Sequence, residues 1–406
     1  MALAVVSSTL DSAKSVEYTL HMMELSEIFE FWGKGPQGSC WPRSIDVAPP
    51  QPDIATLIVG VRRCGKTTFL HQLQNKWNLE QNQCFYVNFE DPRLAQNLNT
   101  GLLDDIHEQA RTHCPQKARY FFLDEIQIVD HWQKWIRQRV DKPSAAEFFV
   151  LSGSNASLLS GELSSVLTGR HRQMTLFPFS FAEFFKIFPQ CSLEDYLNKG
   201  GFPRALQDDA PSDLLKQYFL DITERDIRER VKAKSSLPLQ ILIKCVFESV
   251  GSEISLRRLA GITNLSVDTA SLYLEAAEKA FLVFACPYFS YSERQVQNRN
   301  KKYYAVDPAL RHAIINTGGK DLGKDFENIV YLELKRKYGD VFYWSGSGKV
   351  DFVVHTPAGI LPIQVSVDQP KPRHEDALTE FYQKHPLALE SRTITTANFS
   401  QVIKSI

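Results

Sequence analysis

Four runs of apolar, β-prone residues, Ala55–Gly60, Cys84–Phe89, Tyr120–Leu123 and Phe148–Leu151, alternate with stretches whose apolar positions recur at helical spacing. Each run is hydrophobic along its whole length rather than at every second residue. Strands of that kind are buried on both faces, so the alternation predicts an α/β unit with a parallel sheet covered by helices on both sides. A fifth strand is expected within Arg172–Leu176. After the first run, Phe69, Leu70, Leu73 and Trp77 mark a helix with one face to bury. Upstream, Leu25, Ile28, Phe29 and Trp32 give one short helical face, set off by a Gly/Pro-rich break from Gly33 to Pro52. From Phe181 to about Lys234 the pattern is helical, with Gly200-Gly201-Phe202-Pro203 as an internal turn. Residues 236–310 read as several short helices and then a hairpin, with Ser266 as N-cap of the helix carrying Val267, Leu272, Tyr273 and Leu274. The last segment opens with a helix, Asp325–Tyr338, and continues with strands Lys349–His355 and Ile360–Val365.

The chain has 406 residues, 43% of them hydrophobic and 23% charged, enough for about two to four domains with apolar cores. A net charge of −1 argues against a uniform coat for nucleic acid, although local basic patches remain open. The cysteines at 40, 64, 84, 114, 191, 245 and 286 form no C-x-x-C pair, so neither a zinc site nor a disulfide framework is indicated. The N-terminal apolar run lacks a basic flank and is too short for a signal peptide. Nowhere do about twenty apolar residues run together, so no membrane helix is expected and the expected compartment is cytoplasmic.

Between the first strand and its helix, Gly60-Val61-Arg62-Arg63-Cys64-Gly65-Lys66-Thr67 fits the pattern G-x-x-x-x-G-K-[ST]. A strand, a glycine-rich turn and a helix start make a triphosphate cradle, because the N–H groups of the turn and the helix dipole both favour negative charge. The backbone of residues 60–68, Thr68 included, would hold the phosphates of ATP. Lys66 would reach the β- and γ-phosphates, and the Thr67 hydroxyl would help hold Mg²⁺. The run Tyr120-Phe121-Phe122-Leu123-Asp124-Glu125 ends in two carboxylates, which a parallel sheet would place at its C-terminal edge. Asp124 would bind Mg²⁺, largely through water, and Glu125 would act as general base toward the attacking water. The next strand ends in Ser152-Gly153-Ser154-Asn155. Ser154 or Asn155 would stand beside the γ-phosphate, although Ser, Gly and Asn are also ordinary turn formers. Arg170, in Thr168-Gly169-Arg170, is either a solvated surface arginine or a catalytic cation for its own or a neighbouring subunit's site. Arg62 and Arg63 could serve the phosphates or a carboxylate such as Asp91.

These motifs, taken in order, resemble a known family. Residues 60–68, Tyr-Val-Asn-Phe-Glu-Asp (86–91), Phe-Leu-Asp-Glu-Ile-Gln (122–127), Ser-Gly-Ser-Asn (152–155), Leu-Thr-Gly-Arg (167–170) and Phe-Pro-Phe-Ser-Phe-Ala-Glu-Phe (177–184) look like prokaryotic AAA+-superfamily ATPases with a C-terminal domain of unknown function. Gly-Gly-Phe-Pro (200–203), Glu-Arg-Asp-Ile (224–227), Tyr-Tyr-Ala-Val-Asp (303–307), Phe-Glu-Asn-Ile-Val-Tyr-Leu-Glu-Leu (326–334) and Val-Asp-Phe-Val-Val (350–354) also fit. The resemblance implies a P-loop ATPase core over 51–179 after an approach segment, 1–50. It further implies a helical lid over 180–235, a winged helix over 236–310 and a restriction-endonuclease-like module of PD-(D/E)XK type over 311–406.

Such a nuclease module needs a carboxylate cluster for divalent metal and a lysine near the attacking water. Glu327 and Asp351 stand at matching positions, but the second strand offers Gln364 and Ser366 where an acid and a lysine are required. The module therefore reads as degenerate, and nuclease activity is not expected. The candidate recognition helix, Val267–Tyr273, carries Asp268 and no basic residue, which speaks against base reading. The wing offers Arg294, Arg299, Lys301 and Lys302 as a candidate DNA-backbone patch. The expectation is thus a Mg²⁺-dependent ATPase associated with DNA, able to form nucleotide-dependent homo-oligomers. The alternative is a nucleotide-dependent protein-interaction switch that binds no nucleic acid.

Overall fold

The computed structural model describes residues 24–36, 40–114, 118–143, 147–154, 166–315, 321–369 and 372–405. Contacts divide them into two units: one holds the residues up to Val59 and Gly65–Leu176, the other Gly60–Cys64 and the residues from Phe177 onward.

The first unit is built on five strands: β1 (Ala55–Val59), β2 (Cys84–Asn88), β3 (Arg119–Asp124), β4 (Glu147–Gly153) and β5 (His171–Thr175). They pair in the order β2-β3-β4-β1-β5, every pair parallel. β1 is buried at all five positions, as its unbroken apolar run requires, whereas β5, at the sheet edge, stays half exposed. Among the described residues, four α-helices accompany the sheet: α1 (residues 24–33), α2 (Lys66–Lys76), α3 (Thr100–His113) and α4 (Trp132–Asp141). α3 buries Leu102, Leu103, Ile106 and Ala110, and α4 buries Trp132, Trp135, Ile136 and Val140. Stacked rings run across neighbouring strands, Phe121 on Phe149 at 5.2 Å and Tyr86 on Phe122 at 4.4 Å. Each such side chain contributes roughly 1.5–3 kcal/mol by leaving water.

A buried ion cluster ties β3 to β4 at their amino ends. Glu147 Oε1 accepts from Arg119 Nη2 at 2.8 Å, and its Oε2 lies 3.1 Å from His107 Nε2 on α3. Burial alone would raise the Glu147 carboxyl, but bonds from His107 and Arg119 outweigh it and hold the group down at about 2.

In the second unit, β6 (Glu253–Ile254), β7 (Val283–Cys286) and β8 (Lys301–Ala305) form an antiparallel sheet ordered β6-β8-β7. A second sheet orders β9 (Val341–Ser345), β10 (Lys349–Thr356), β11 (Gly359–Ser366) and β12 (Arg392–Thr395) as β12-β11-β10-β9, with only the β11–β12 pair parallel among these. Ser266 caps the helix Val267–Lys279 by accepting from the Thr269 N–H, as expected. The helix expected from Asp325 starts earlier, at Leu322, because Asp321 caps it through the Lys324 N–H. The expected hairpin exists as β7 and β8, but the helix Glu293–Asn298 stands between its strands. β9, β12 and the helix Pro372–Lys384 were not expected. The helix buries only His374, Ala377 and Phe381, so its periodic signal is sparse.

Prediction: Glu147→Ala leaves Arg119 buried with its charge unmatched. It should cost about 3–5 kcal/mol in denaturant unfolding, whereas exposed Glu30→Ala should change stability by less than about 0.5 kcal/mol.

Candidate active site

Parallel register brings the carboxy ends of four strands to one edge. Asn88 stands beside Asp124 across β2–β3, Leu123 beside Leu151 across β3–β4, and Val59 beside Gly153 across β4–β1. The chain leaves β1 into the glycine-rich turn and enters α2 at Lys66. Gly65, the residue before the helix, has φ 97°, a left-handed conformation that costs glycine nothing. Arg63 also sits left-handed, at φ 70°. The first turn of α2 carries no acidic residue, so the helix start suits an anion.

Lys66 is buried, and its Nζ lies 3.6 Å from Glu125 Oε1. Thr67 Oγ1 donates to Asp124 Oδ2 at 2.5 Å, and Asn88 Nδ2 donates to the same oxygen at 3.1 Å. Ser152 Oγ donates to the other Asp124 oxygen. Burial and then the neighbouring Glu125 charge push the Asp124 carboxyl up to about 6, against the pull of Ser152, Thr67 and Lys66. Glu125 departs from the strand at φ 54°, ψ 41°, a conformation costing a non-glycine residue of order 1–3 kcal/mol. That departure brings its Oε2 to the Ser154 N–H at 3.3 Å and to Gln127 Nε2 at 2.5 Å.

One hydroxyl and one carboxylate make an oxygen-only donor set. It fits a hard cation such as Mg²⁺, which keeps waters and takes phosphate oxygens for its other positions. Among the described residues, no three His, Cys, Asp or Glu side chains gather as a protein-enclosed metal site would need.

The structure thus brings together Lys66, Thr67, Asp124, Glu125 and Ser154. Thr68 is half-buried in the first turn of α2, while the side chains of Val61 and Cys64 are buried. Asn155 lies outside the described residues. Arg62 is committed elsewhere: its Nε and Nη2 reach the two Asp226 oxygens at 2.9 and 3.3 Å. Arg63 lies over the Tyr218 ring at 5.8 Å. Neither takes Asp91, whose carboxylate accepts from Arg93 and Trp32 and is held down at about 2, chiefly by Arg93. Arg170 is not brought to the loop. Its carbonyl accepts from the Ala55 N–H, where β1 begins, and its Nε pairs with Asp141 at 3.0 Å, so it belongs to the opposite edge of the sheet. Asn88, Ser152 and Gln127 were missed. Gln127, two residues beyond the acid pair, and Asn88, at the end of a strand, were signals on hand.

Two expectations for the second unit need correction. Lys302 is not a wing contact. It is 2% exposed, and its Nζ lies 3.2 Å from Glu327, which also accepts from the Tyr304 hydroxyl at 2.6 Å. Burial disfavours the Lys302 charge, but Glu327 and Asp351 outweigh it and keep the ammonium charged. Arg294, Arg299 and Lys301 remain exposed. A lysine therefore does reach the Glu327–Asp351 pair, from β8 rather than from β11. Gln364 is buried between strands, accepting from the Asp351 N–H at 3.3 Å and donating to the Lys349 carbonyl at 3.0 Å, so its amide is spent on the sheet.

Family models and relatives match most of the chain. A family model described as an AAA domain matches residues 53–185, and one described as Domain of unknown function (DUF8612) matches residues 190–321. An uncharacterized protein of Haemophilus influenzae is 30% identical over 342 residues, covering 80% of this chain and 85% of that protein. An uncharacterized protein of Methanocaldococcus jannaschii is 32% identical over 310 residues, covering 70% of this chain and 67% of that protein. Among solved structures, Cdc6p from Pyrobaculum aerophilum superposes loosely, with a TM-score of 0.26 at 15% identity over 66% of this chain and 86% of that one.

Prediction: because folding raises the Asp124 pKa from 3.8 to about 6, the native state holds this proton more tightly than the unfolded chain. The site's cost therefore develops as pH rises through that interval and is complete above it. In metal-free buffer, Asp124→Asn should raise Tm at pH 8, with the gain shrinking as pH falls from about 6 toward about 4.

Proposed function

We propose that this chain, which belongs to one family with those two relatives and matches an AAA-domain model over residues 53–185, binds ATP with Mg²⁺ and hydrolyses it to ADP and phosphate. The observation that carries the reading is the meeting of Lys66 with Glu125 and of Thr67 with Asp124 on one sheet edge. These pairs are 59 and 57 positions apart along the chain, and a loop that served only as a connection would have no use for either. Lys66 and the turn's N–H groups bind the β- and γ-phosphates, Thr67 and Asp124 hold Mg²⁺, and Ser154 contacts the γ-phosphate side. Glu125 accepts a proton from the attacking water. Bound Mg²⁺ supplies neutralisation of phosphate charge. Residues 51–179 form the ATPase core in this reading, with a lid over 180–235, a winged helix over 236–310 and a degenerate PD-(D/E)XK-like module over 311–406. Arg170, placed at the far edge, would act only in a neighbouring copy of a homo-oligomer.

Association with DNA is the first reading of the partner, and it now rests on Arg294, Arg299 and Lys301. The second reading, a protein-interaction switch, is favoured by one observation. The helices Leu256–Thr263 and Val267–Lys279 expose the large apolar side chains Ile262, Val267 and Leu272, which suit a protein partner. Among the described residues no helix is long and apolar enough to cross a membrane.

Two experiments test this reading. Lys66→Ala should lose nucleotide binding, while Glu125→Gln should bind ATP normally and turn over at least about a hundredfold more slowly; wild-type turnover in Glu125→Gln removes that residue from the chemistry. If DNA is the partner, double-stranded DNA should stimulate ATPase rates, with binding that weakens steeply between 50 and 200 mM salt in the manner of roughly three phosphate contacts. Rates indifferent to any DNA favour the protein switch.

A further inference from the structure

Glu125 can serve a water molecule only if its carboxylate is held in one orientation, and the side chain that holds it is Gln127. Gln127 lies in the short turn Ile126–Ile128 that the left-handed Glu125 opens. Its Nε2 donates to Glu125 Oε2 at 2.5 Å and reaches Ser154 Oγ at 3.4 Å. The amide has only one workable orientation, since turning it over would set its oxygen against a carboxylate. Its Oε1 is buried and makes no hydrogen bond among the described residues. A buried amide oxygen without a donor costs about 1–3 kcal/mol, which a structural role does not explain. The two Glu125 oxygens are thereby divided: Oε2 is taken by Gln127 and the Ser154 N–H, and Oε1 faces Lys66.

We infer that Gln127 is a positioning residue for hydrolysis: its N–H₂ fixes Glu125 so that Oε1 is the base, and its own Oε1 accepts the second O–H of the attacking water. In the step, one water O–H bond breaks and its proton goes to Glu125 Oε1. The water oxygen forms a bond to the γ-phosphorus, and the bond from that phosphorus to the bridging oxygen breaks, its electron pair leaving on ADP. Nothing is oxidised or reduced. The inference rests on the ATPase reading and adds to it which residue orients both partners of the proton transfer.

The test uses the full chain with Gln127→Met and Gln127→Leu, which keep apolar bulk at the position but lose both polar groups. Both should lower kcat for Mg·ATP roughly tenfold to a hundredfold, as loss of a supporting hydrogen bond does elsewhere, with KM and ADP affinity within about twofold of wild type. Tm, alone and with a non-hydrolysable ATP analogue, should stay at the wild-type value. If both variants keep kcat within threefold of wild type, or lose nucleotide binding in step with kcat, Gln127 is a packing residue and the inference is overturned while the ATPase reading stands. No hydrolysis by the wild-type protein, under conditions where it binds ATP, overturns both.

Discussion

The register between β3, β4 and β1 is the constraint on which the site depends. Leu123 stands beside Leu151 and Ile58 beside Ser152, so the three strands end level. Only then can a lysine at the start of α2 lie 3.6 Å from a glutamate beyond β3. A slip of one residue would turn every side chain of a strand to the other face. It would withdraw Asp124 from Thr67 and at the same time misplace the stacked pair Phe121–Phe149. The apolar packing that stabilises the sheet and the polar geometry at its edge are thus set by one pairing. The Arg119–Glu147 pair anchors that pairing at the strands' other end.

The edge itself is costly. Asp124 is held where burial and Glu125 oppose its charge, and Glu125 and Arg63 both adopt left-handed backbone that suits glycine better. Buried Lys66 faces the Glu125 carboxylate at 3.6 Å, too far for a strong direct bond. A protein selected only for stability would shed such features. Their concentration between residues 63 and 127, at the open end of a well-packed sheet, is what a site for a highly charged ligand requires. A triphosphate and its cation would supply the charges that the side chains now supply for each other.

Much of this was legible in the chain. The all-buried strands announced themselves as unbroken apolar runs, and the glycine, lysine and threonine of the turn carry their chemistry in their order. The acid pair at Asp124 and Glu125 was readable because an apolar strand ends there. What stayed hidden depended on residues distant in sequence. Asp226, the partner of Arg62, is 164 positions away, and nothing local distinguishes it from the neighbouring acids. Lys302 looked like a surface charge because it sits among Arg299, Asn300 and Lys301; alternation along β8 turns it inward onto Glu327. Arg170 was placed by its motif, whereas its true position follows from β5 running parallel to β1, so that residues before β5 must lie at the opposite end from the loop.

Arg62 shows how much such a hidden partner changes. A guanidinium in a phosphate-binding turn would ordinarily be assigned to phosphate, because its forked donors match that geometry. Here the fork is already filled by a carboxylate, through Nε and Nη2 together. Asp226 lies within Ile222–Arg228, a stretch wound more widely than an α-helix, a form found mostly at functional sites. Breaking a pair that is largely shielded from water leaves a charge uncompensated on each side, so a phosphate would have to replace Asp226 rather than add to it. Lys66 is under no such restriction, since its ammonium has three donors and no fixed plane, and its distance to Glu125 is long for a direct bond. Arg62 therefore ties the turn to Asp226, and the buried positive charge beside the acid pair is that of Lys66.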